Sequence, residues 1–501
     1  MINNVTVHKI YRPQGETMTF ISFAFMVFLP CAVLINFIVP IKYRYIWLLI
    51  ASMVFYSTAG IGAMIVLVLS MLSVYATGIY LGKKKKAKLV FLLCLLFNLG
   101  ILFVFKYFNF FMQILGIATD GAYGNIQLNN MIIPLGLSFY ILKSVGYLID
   151  VYRGDIAPEK NYLKFALFVS FFPQILAGPI ERAGNMIKQF DNPKPIDFDR
   201  FRNGFLQVLW GYFLKLVVAD RLAIFVKAVF DAEDGIRGTV SFVAILFYTF
   251  EIYADFAGYS HISIGIARIL GIDVMNNFDS PYLARSIAEF WRRWHVSLSS
   301  WFRDYLYIPL GGNRKGTIRK FINILIVFTV SGLWHGADFT FFAWGLLHGV
   351  YQVIGSIVTP VRDKITKTFN IGRASFSHRV VKTVGTFILV AYAWVFFRAD
   401  DIMQAVRIIR NSFALTPWKF VDGSMYQFGL TRGNFLLGVF GILLMIIVDL
   451  VNSRGIVLRE KILCQGLWLR WIIMIVGIVV TVVCGIWGPG YDVSDFIYKQ
   501  F

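Results

Sequence analysis

Long apolar runs are the most restrictive feature of this 501-residue sequence. Several approach 20 residues, the length a helix needs to cross a bilayer core of about 30 Å. Alternating strand patterns of about ten residues, which are typical of a transmembrane barrel, do not recur along the chain. We therefore predict an all-α polytopic membrane protein with roughly ten to twelve spans. Short runs that contain Pro or Gly predict additional re-entrant helices.

The composition argues against the other broad classes. Hydrophobic residues make up 58% of the chain and charged residues 15%, against about 45–50% and about 25% in a typical soluble domain. A soluble fold could not bury so much apolar surface, and a disordered chain would be more polar. The net charge of +20 is carried by short loops between apolar runs, as the positive-inside rule predicts. We therefore expect no nucleic-acid partner.

The basic loops predict the orientation of the chain in the membrane. Lys42 and Arg44 follow the first apolar run, and the cluster Lys83–Lys86 follows the third. Both loops are placed on the inside, and so is the basic segment 311–320, GGNRKGTIRK. This assignment predicts that the amino terminus and the carboxyl-terminal tail both lie outside.

No linker rich in Pro, Gly or Ser divides the sequence. We predict a polar extension at residues 1–17, one membrane domain over 18–488, and an extracytoplasmic tail at 489–501. The four cysteines are far apart and mostly within apolar runs, so they are interpreted as core residues. Their spacing, and that of the histidines, predicts no metal site.

The stretch 289–313 carries many charged and aromatic residues. If it forms one helix, four polar side chains fall on one strip beside an aromatic face that includes Trp294: Arg292, His295, Ser299 and Arg303. An interfacial helix with tryptophans at headgroup level explains this pattern. A wall of a cytoplasmic cavity that binds phosphate groups explains it as well.

His335 lies in an apolar run in which the one neighbouring charge is Asp338. A helix beginning near Lys320 would place His335 about 22 Å along its axis, deep in the membrane. Either it is a buried histidine bonded to a neighbour, or it accepts a proton during catalysis. Gly332 and Gly336 predict a close approach of backbone or substrate. Asp338 either orients the imidazole or caps a helix.

At these residues the chain resembles the membrane-bound O-acyltransferase family. The segment FWRRWHVSLSSWFRDYLYIPLGGNR (290–314) is followed, forty residues after His295, by LWHG (333–336). Within the family it is similar to the branch that O-acetylates exported bacterial polysaccharides such as alginate and peptidoglycan. Four further stretches agree: PLGLSFYILKSVGYLIDVYRG (134–154), FFPQILAGPIERA (171–183), YADFAGYSHISIGIARILG (253–271) and AWVFFRAD (393–400).

The resemblance implies a ring of tilted helices pierced by a tunnel between the two membrane faces. It identifies His335 with the family's catalytic histidine and His295 with a second histidine that lines the cytoplasmic funnel. The donor would be cytosolic acetyl-CoA, with no permanently bound cofactor. The residues expected to bind this donor are Arg292, Arg303, Ser299 and Trp294.

The resemblance also implies a bacterial cytoplasmic membrane location, an extracytoplasmic SGNH-type partner and an exported or cell-wall polysaccharide as the final acceptor. The continuation PLGGNR (309–314) favours acetyl-CoA over the carrier-bound D-alanine of the related teichoic acid D-alanyl transferases. That D-alanyl transfer remains an alternative. A polysaccharide or lipid-linked sugar transporter and a scaffold for a secretion machine are alternatives from other classes.

The carboxyl-terminal sequence FIYKQF (496–501) is unusually aromatic for a solvated tail. Phe496 and Phe501 would serve as anchors on the helix bundle, but that role leaves Tyr498 unexplained. The ending resembles that of a small partner peptide in teichoic-acid D-alanylation. We therefore predict that Tyr498 accepts the acetyl group, with His335 taking its proton, and passes the group to the extracytoplasmic partner.

Overall fold

The computed structural model describes residues 17–84, 87–119, 126–128, 133–195, 197–232, 236–370, 372, 375–414 and 416–487. Every regular element in these ranges is helical, which confirms the all-α prediction. The chain divides into two compact units, Met1–Leu176 and Ala177–Phe501. The extent of the membrane domain, 18–488, stays a prediction. The tail at 489–501 and all but one residue of the extension at 1–17 lie outside the described residues.

The described residues of the first unit form eight α-helices. They are α1 (Phe23–Ile38), α2 (Arg44–Ser57), α3 (Ile61–Lys83), α4 (Lys88–Leu102), α5 (Phe108–Ala118), α6 (Leu137–Arg153), α7 (Tyr162–Ser170) and α8 (Phe172–Ile175). A π-helical segment, Phe103–Tyr107, joins α4 to α5. It makes them one continuous apolar element.

The described residues of the second unit form thirteen α-helices. They are α9 (Ala183–Asp191), α10 (Phe198–Tyr212), α11 (Asp220–Phe230), α12 (Thr239–Ile269), α13 (Ile287–Arg293), α14 (Val296–Phe302), α15 (Thr317–His335), α16 (Phe339–Thr368), α17 (Phe376–Arg398), α18 (Ile402–Ser412), α19 (Arg432–Asn452), α20 (Leu458–Leu463) and α21 (Leu467–Cys484). Two π-helical segments, Phe213–Ala219 and Arg303–Tyr307, extend α10 and α14.

Eight helical elements of the described residues are long and apolar enough to cross a membrane. They are Ile61–Lys83, Lys88–Ala118, Thr239–Ile269, Thr317–His335, Phe339–Thr368, Phe376–Arg398, Arg432–Asn452 and Leu467–Cys484. Two shorter apolar helices, Phe23–Ile38 and Tyr162–Ile175, also occur. The multi-pass prediction is confirmed, and the described residues hold eight candidate spans against the ten to twelve that the sequence predicts.

Helix α12 is the central helix of the second unit. Nearly all of its residues are buried, and it packs against α10, α11, α17 and α18. A helix that is enclosed on all sides in this way lies in the interior of a protein. Since α12 is enclosed by other helices, its side chains can hold neighbouring loops in fixed positions.

A buried ion triad joins α12 to the preceding segments. Lys215 Nζ lies 2.7 Å from Asp220 Oδ1 and 2.8 Å from Asp255 Oδ1. All three side chains are almost completely buried. Buried charges are costly unless they are paired in good geometry. The triad therefore ties the π-helical segment Phe213–Ala219 and α11 to the middle of α12.

Helices α15 and α16 pack with their backbones in direct contact. A Cβ atom added at Gly332 would overlap the carbonyl oxygen of Phe341 and lie 3.0 Å from the Cα of Gly345. A Cβ atom at Gly345 would overlap the carbonyl oxygen of Phe328. Small residues at such crossings are how membrane helices approach closely. The close approach predicted at Gly332 is thus confirmed as a contact between backbones, and it fixes the end of α15 against α16.

Candidate active site

The structure brings together the two histidines that the sequence singled out. The ring centroids of His295 and His335 are 6.4 Å apart. Both side chains are fully buried in the second unit. His295 lies in the segment between the candidate spans Thr239–Ile269 and Thr317–His335. Burial lowers the pKa of its imidazole to about 3. Its ring is therefore neutral at physiological pH, because burial penalises the charged form.

The segment around His295 is not the single helix that its periodicity predicts. Helix α13 ends at Arg293, and α14 begins at Val296. Between them Trp294 is extended, and His295 has the left-handed values φ 44° and ψ 53°. The amide of Val296 donates to the carbonyl oxygen of Asn277, 2.9 Å away. That tertiary hydrogen bond replaces a helical one, and the predicted continuous polar strip is wrong for this reason.

Aromatic rings surround His335 at the end of α15. The ring centroid of His335 lies 4.9 Å from that of Trp334, 5.1 Å from that of Trp344 and 5.5 Å from that of Phe397. A Cβ atom at the next residue, Gly336, would overlap the ring of Phe341. The chain can therefore turn away at this position only with glycine. The result is a compact apolar site around one imidazole.

Asp338 caps a helix. Its Oδ1 accepts a hydrogen bond of 2.9 Å from the amide of Thr340, at the first turn of α16. Helix α15 ends at His335 and α16 begins at Phe339, so Asp338 and His335 do not share a helix face as they would in one continuous helix. Of the two interpretations of Asp338, the structure supports the cap.

A third buried histidine, His348, lies on the far side of Trp344. The indole Nε1 of Trp291 donates to His348 Nδ1 across 3.2 Å. The ring of Trp344 is 5.1 Å from that of His335 and 5.1 Å from that of His348. His348 follows Trp344 by four residues, and this spacing places both side chains on one face of α16. His348 helps to fix the indoles behind His335.

The four residues expected to bind the donor have different environments. Trp294 is fully buried, with its ring centroid 4.9 Å from that of Trp394. Ser299 is partly buried and donates to the carbonyl oxygen of Trp294 at 3.2 Å. Arg292 and Arg303 are exposed, and the Nε of Arg303 donates to Asp304 Oδ1 at 2.8 Å. Donor binding by these residues stays a prediction.

A chain of buried polar side chains connects His295 to α12. Asn277 Nδ2 donates to Ser260 Oγ at 3.0 Å, and Ser297 Oγ donates to Asn277 Oδ1 at 2.6 Å. Ser297 Oγ also lies 3.5 Å from His295 Nδ1. The ring of Phe256, also on α12, meets the ring of His295 edge-on, with centroids 4.6 Å apart. The sequence reasoning did not identify Asn277, which lies 18 residues before His295 in an irregular segment.

Three further predictions about the site stay predictions. Tyr498 lies outside the described residues, so its relay role stays a prediction. Among the described residues, no group of three or more His, Cys, Asp or Glu side chains could hold a metal ion. Binding of acetyl-CoA and the expectation that no cofactor is permanently bound also stay predictions.

Comparisons with known proteins identify the family. The model of the membrane-bound O-acyltransferase family matches residues 157–398, which include both histidines. A probable alginate O-acetylase of Pseudomonas putida is 37% identical over 411 residues, covering 81% of this chain and 82% of that protein. A peptidoglycan O-acetyltransferase of Helicobacter pylori is 32% identical over 399 residues, covering 74% of each chain.

A teichoic acid D-alanyltransferase of Streptococcus thermophilus is also similar, with 28% identity over 250 residues. That match covers 46% of this chain and 59% of that protein. The predicted relationship to all three kinds of enzyme is thereby confirmed. The chain is an O-acyltransferase and belongs to the membrane-bound O-acyltransferase family.

Proposed function

We propose that this enzyme transfers an acetyl group from cytosolic acetyl-CoA, across the bacterial cytoplasmic membrane, to an exported or cell-wall polysaccharide. The observation that carries the proposal is the proximity of His295 and His335, whose ring centroids lie 6.4 Å apart at a buried site. A neutral imidazole has a free lone pair with which it can accept the proton of an attacking hydroxyl group. A transporter or a scaffold gives no reason to bury two of them together.

His335 acts as the general base in this scheme. An acceptor hydroxyl attacks the thioester carbonyl, the new C–O bond forms and the C–S bond breaks. His335 takes the hydroxyl proton and returns it to the leaving thiolate, so that the products are an acetyl ester and free CoA. The rings of Trp334, Trp344 and Phe397 exclude water, which would otherwise hydrolyse the thioester.

The size of the site around His335 favours a short acyl group. Three ring centroids lie within 5.5 Å of that of His335, and each ring fills space that a long acyl chain would need. Two of the similar proteins named above are O-acetylating enzymes, and each match covers about three quarters or more of this chain. The D-alanyl alternative is supported by a match that covers less than half of the chain.

The donor enters from the cytosolic side in this proposal. Arg292 and Arg303 are exposed, so the guanidinium N–H groups of Arg292, and those of Arg303 that Asp304 does not hold, are accessible to the phosphates of a soluble donor. Trp294 and Ser299 support this surface from behind, because the hydroxyl of Ser299 holds the carbonyl oxygen of Trp294. Acetyl-CoA is a substrate here, and no permanently bound cofactor is required.

The acetyl group leaves through Tyr498 in the outer tail. The phenol oxygen attacks the thioester, and the resulting aryl ester is more activated than an alkyl ester, so the second transfer is not uphill. An extracytoplasmic SGNH-type partner then moves the acetyl group from Tyr498 to a sugar hydroxyl. The chemistry of the tail supports this order, since a phenylalanine at the same position would serve an anchor equally well.

The experiment uses the purified full-length protein in detergent with acetyl-CoA labelled in the acetyl group. We expect release of CoA together with labelling of the protein, and loss of both in His335→Ala. His378→Ala is the matched control, because this partly buried histidine lies at the start of α17. Tyr498→Phe should still bind acetyl-CoA but acquire no label. Activity with a D-alanyl carrier protein and none with acetyl-CoA would overturn the acetyl assignment.

A further inference from the structure

The polar chain Ser260–Asn277–Ser297 ends at His295 and is not used by the mechanism above. All four side chains are almost completely buried. Buried polar groups are usually paired, and here each link of the chain joins a different segment: α12, the irregular segment before α13, and the first turn of α14. Hydrogen bonds between side chains also have a direction, and in this chain the direction can be followed from one residue to the next.

The direction is set at Asn277. Its amide nitrogen can only donate, and it donates to Ser260 Oγ at 3.0 Å. Its amide oxygen can only accept, and it accepts the hydroxyl proton of Ser297 at 2.6 Å. A serine has a single hydroxyl proton. Ser297 therefore has no second proton to offer, and its oxygen can act towards His295 only as an acceptor.

The accepting role of Ser297 Oγ determines which tautomer of His295 is favoured. A neutral imidazole carries its proton on one of its two nitrogens. Ser297 Oγ lies 3.5 Å from Nδ1 of His295, a distance at the outer limit of a hydrogen bond. Because that oxygen accepts, it favours the proton on Nδ1 and the lone pair on Nε2. Such contacts are often long without substrate and tighten when substrate binds.

The backbone at His295 supports a functional reason for this arrangement. His295 has φ 44°, a left-handed conformation that is uncommon for residues other than glycine, although histidine adopts it more often than most. The hydrogen bond from the amide of Val296 to the carbonyl oxygen of Asn277 holds the chain there. Asn277 thus holds the backbone next to His295 with its carbonyl group. Its side chain acts on the imidazole of His295 through Ser297. Strain that is retained in this way is typical of functional sites.

We propose that Asn277 and Ser297 are positioning residues for acyl transfer, which hold His295 in the tautomer with the proton on Nδ1 and the lone pair on Nε2. The inference rests on the proposed function only in giving His295 a part in the reaction. Neither residue touches the reacting atoms. Both act through the imidazole, so their loss should lower kcat far more than it raises KM.

Two substitutions separate this role from simple packing. Ser297→Ala removes the acceptor, so we expect a smaller share of the tautomer with the proton on Nδ1. Asn277→Ala removes the acceptor of the Ser297 proton, so Ser297 becomes free to donate to Nδ1, and we expect the opposite tautomer, with the proton on Nε2. The hydrogen bond from Val296 to the backbone of Asn277 is available in both variants. A packing role predicts no such difference between them.

The measurement is 15N NMR of the full-length protein in detergent with ring-15N histidine, and His295→Gln assigns the signal. The chain has six histidines, so subtraction is practical. We expect the Nδ1–H tautomer in the wild type, a smaller share of it in Ser297→Ala, and Nε2–H in Asn277→Ala. Ser297→Thr keeps the hydroxyl group and should therefore show the same tautomer signal as the wild type. Ser263→Ala, an equally buried serine one turn after Ser260 on α12, is the control.

Kinetics provide the second readout. We expect kcat with acetyl-CoA to fall about ten- to a hundred-fold in Ser297→Ala and Asn277→Ala, by analogy with groups that orient metal-bound histidines, with little change in KM. An unchanged tautomer in both alanine variants, or equal kcat in all of these proteins, would overturn the inference. If the wild type used no acetyl-CoA, the proposed function would fail, whereas the tautomer result would still decide the role of Asn277 and Ser297.

Discussion

His295 and His335 are equally buried, but they are held in place by different kinds of interaction. The ring of His335 is enclosed by Trp334, Trp344 and Phe397, and its backbone is fixed by the close packing of α15 against α16. The ring of His295 has Phe256 on one edge and the Ser297–Asn277 pair at Nδ1. Packing of aromatic rings therefore contributes to positioning the first histidine, and directed hydrogen bonds contribute to positioning the second.

This difference indicates that the surroundings of the two histidines have different roles. An apolar wall excludes water and limits the size of what can approach, but it does not select between two tautomers of an imidazole. A hydrogen-bonded chain selects a tautomer and an orientation, but it leaves the size of the pocket open. The site needs both properties, and the fold assigns each to a separate segment of the chain.

The largest expected effect is at His335 itself. Replacing it with glutamine keeps a polar side chain of similar size and removes the proton acceptor, so transfer should fall by about a thousand-fold, within the range for loss of a general base. His295→Gln should cost less, on the order of a hundred-fold, if His295 assists rather than takes the proton. Turnover of labelled acetyl-CoA by the two purified variants checks this order. The reverse order would exchange the two roles.

The backbone contact that holds His335 can be tested at Gly345. A Cβ atom there would overlap the carbonyl oxygen of Phe328, so Gly345→Ala should push α16 away from α15 and destabilise the protein by about 1–3 kcal/mol. Activity should fall as well, because Trp344 moves with α16. Thermal unfolding in detergent and turnover are the measurements.

Gly355 offers a matched control on the same helix. A Cβ atom at Gly355 would meet nothing within 4 Å, and alanine is about 0.5–1 kcal/mol more favourable than glycine in a helix interior. Gly355→Ala should therefore leave stability and turnover unchanged or slightly raised. Equal losses in Gly345→Ala and Gly355→Ala would show that the contact with α15 has no special importance.

The wall around His335 should set the length of the acyl donor. Phe397→Ala removes one of the three rings and leaves space beside the imidazole. The ratio of kcat/KM for propionyl-CoA over acetyl-CoA should rise about ten-fold, the lower end of what one methylene group contributes in an apolar pocket. The exposed Phe376 provides the control Phe376→Ala. An unchanged ratio in Phe397→Ala would remove this ring from the specificity of the enzyme.

The smallest effect is expected at Asp338. As a helix cap it should tolerate Asp338→Asn, since asparagine caps about as well, while Asp338→Ala should cost about 1 kcal/mol of stability. Turnover should remain close to wild type in both variants. A strong loss of turnover in Asp338→Asn, with normal thermal stability, would instead favour the interpretation in which its charge orients the imidazole.

The sequence was sufficient to predict the fold class and the pair of histidines, for different reasons. Apolar runs near the length of a membrane span report the environment of a helix directly. The histidines were found from a motif whose spacing, forty residues, says nothing about distance in space. Their contact depends on where α13, α14 and α15 pack, and that could be stated only as what the family resemblance implied.

The break at His295 and the role of Asn277 could not be predicted. No proline or glycine interrupts the sequence between Phe290 and Phe302, so its local preferences favour one helix. The hydrogen bond from Val296 to Asn277 overrides them, and a tertiary contact of this kind leaves no periodic signal. The contact between Gly332 and Gly345 is similar: each glycine is visible in the sequence, but their pairing is not.

The ion triad described above has a consequence for biogenesis. Asp255 is an acidic residue near the middle of α12, and such a residue is costly to transfer into a membrane. Its cation, Lys215, precedes α12 in the chain, and so leaves the ribosome first. The partner of Asp255 is therefore already present when α12 enters the lipid. The order of synthesis thus makes an ammonium group, shared with Asp220, available to Asp255 before α17 and α18 complete the interior around α12.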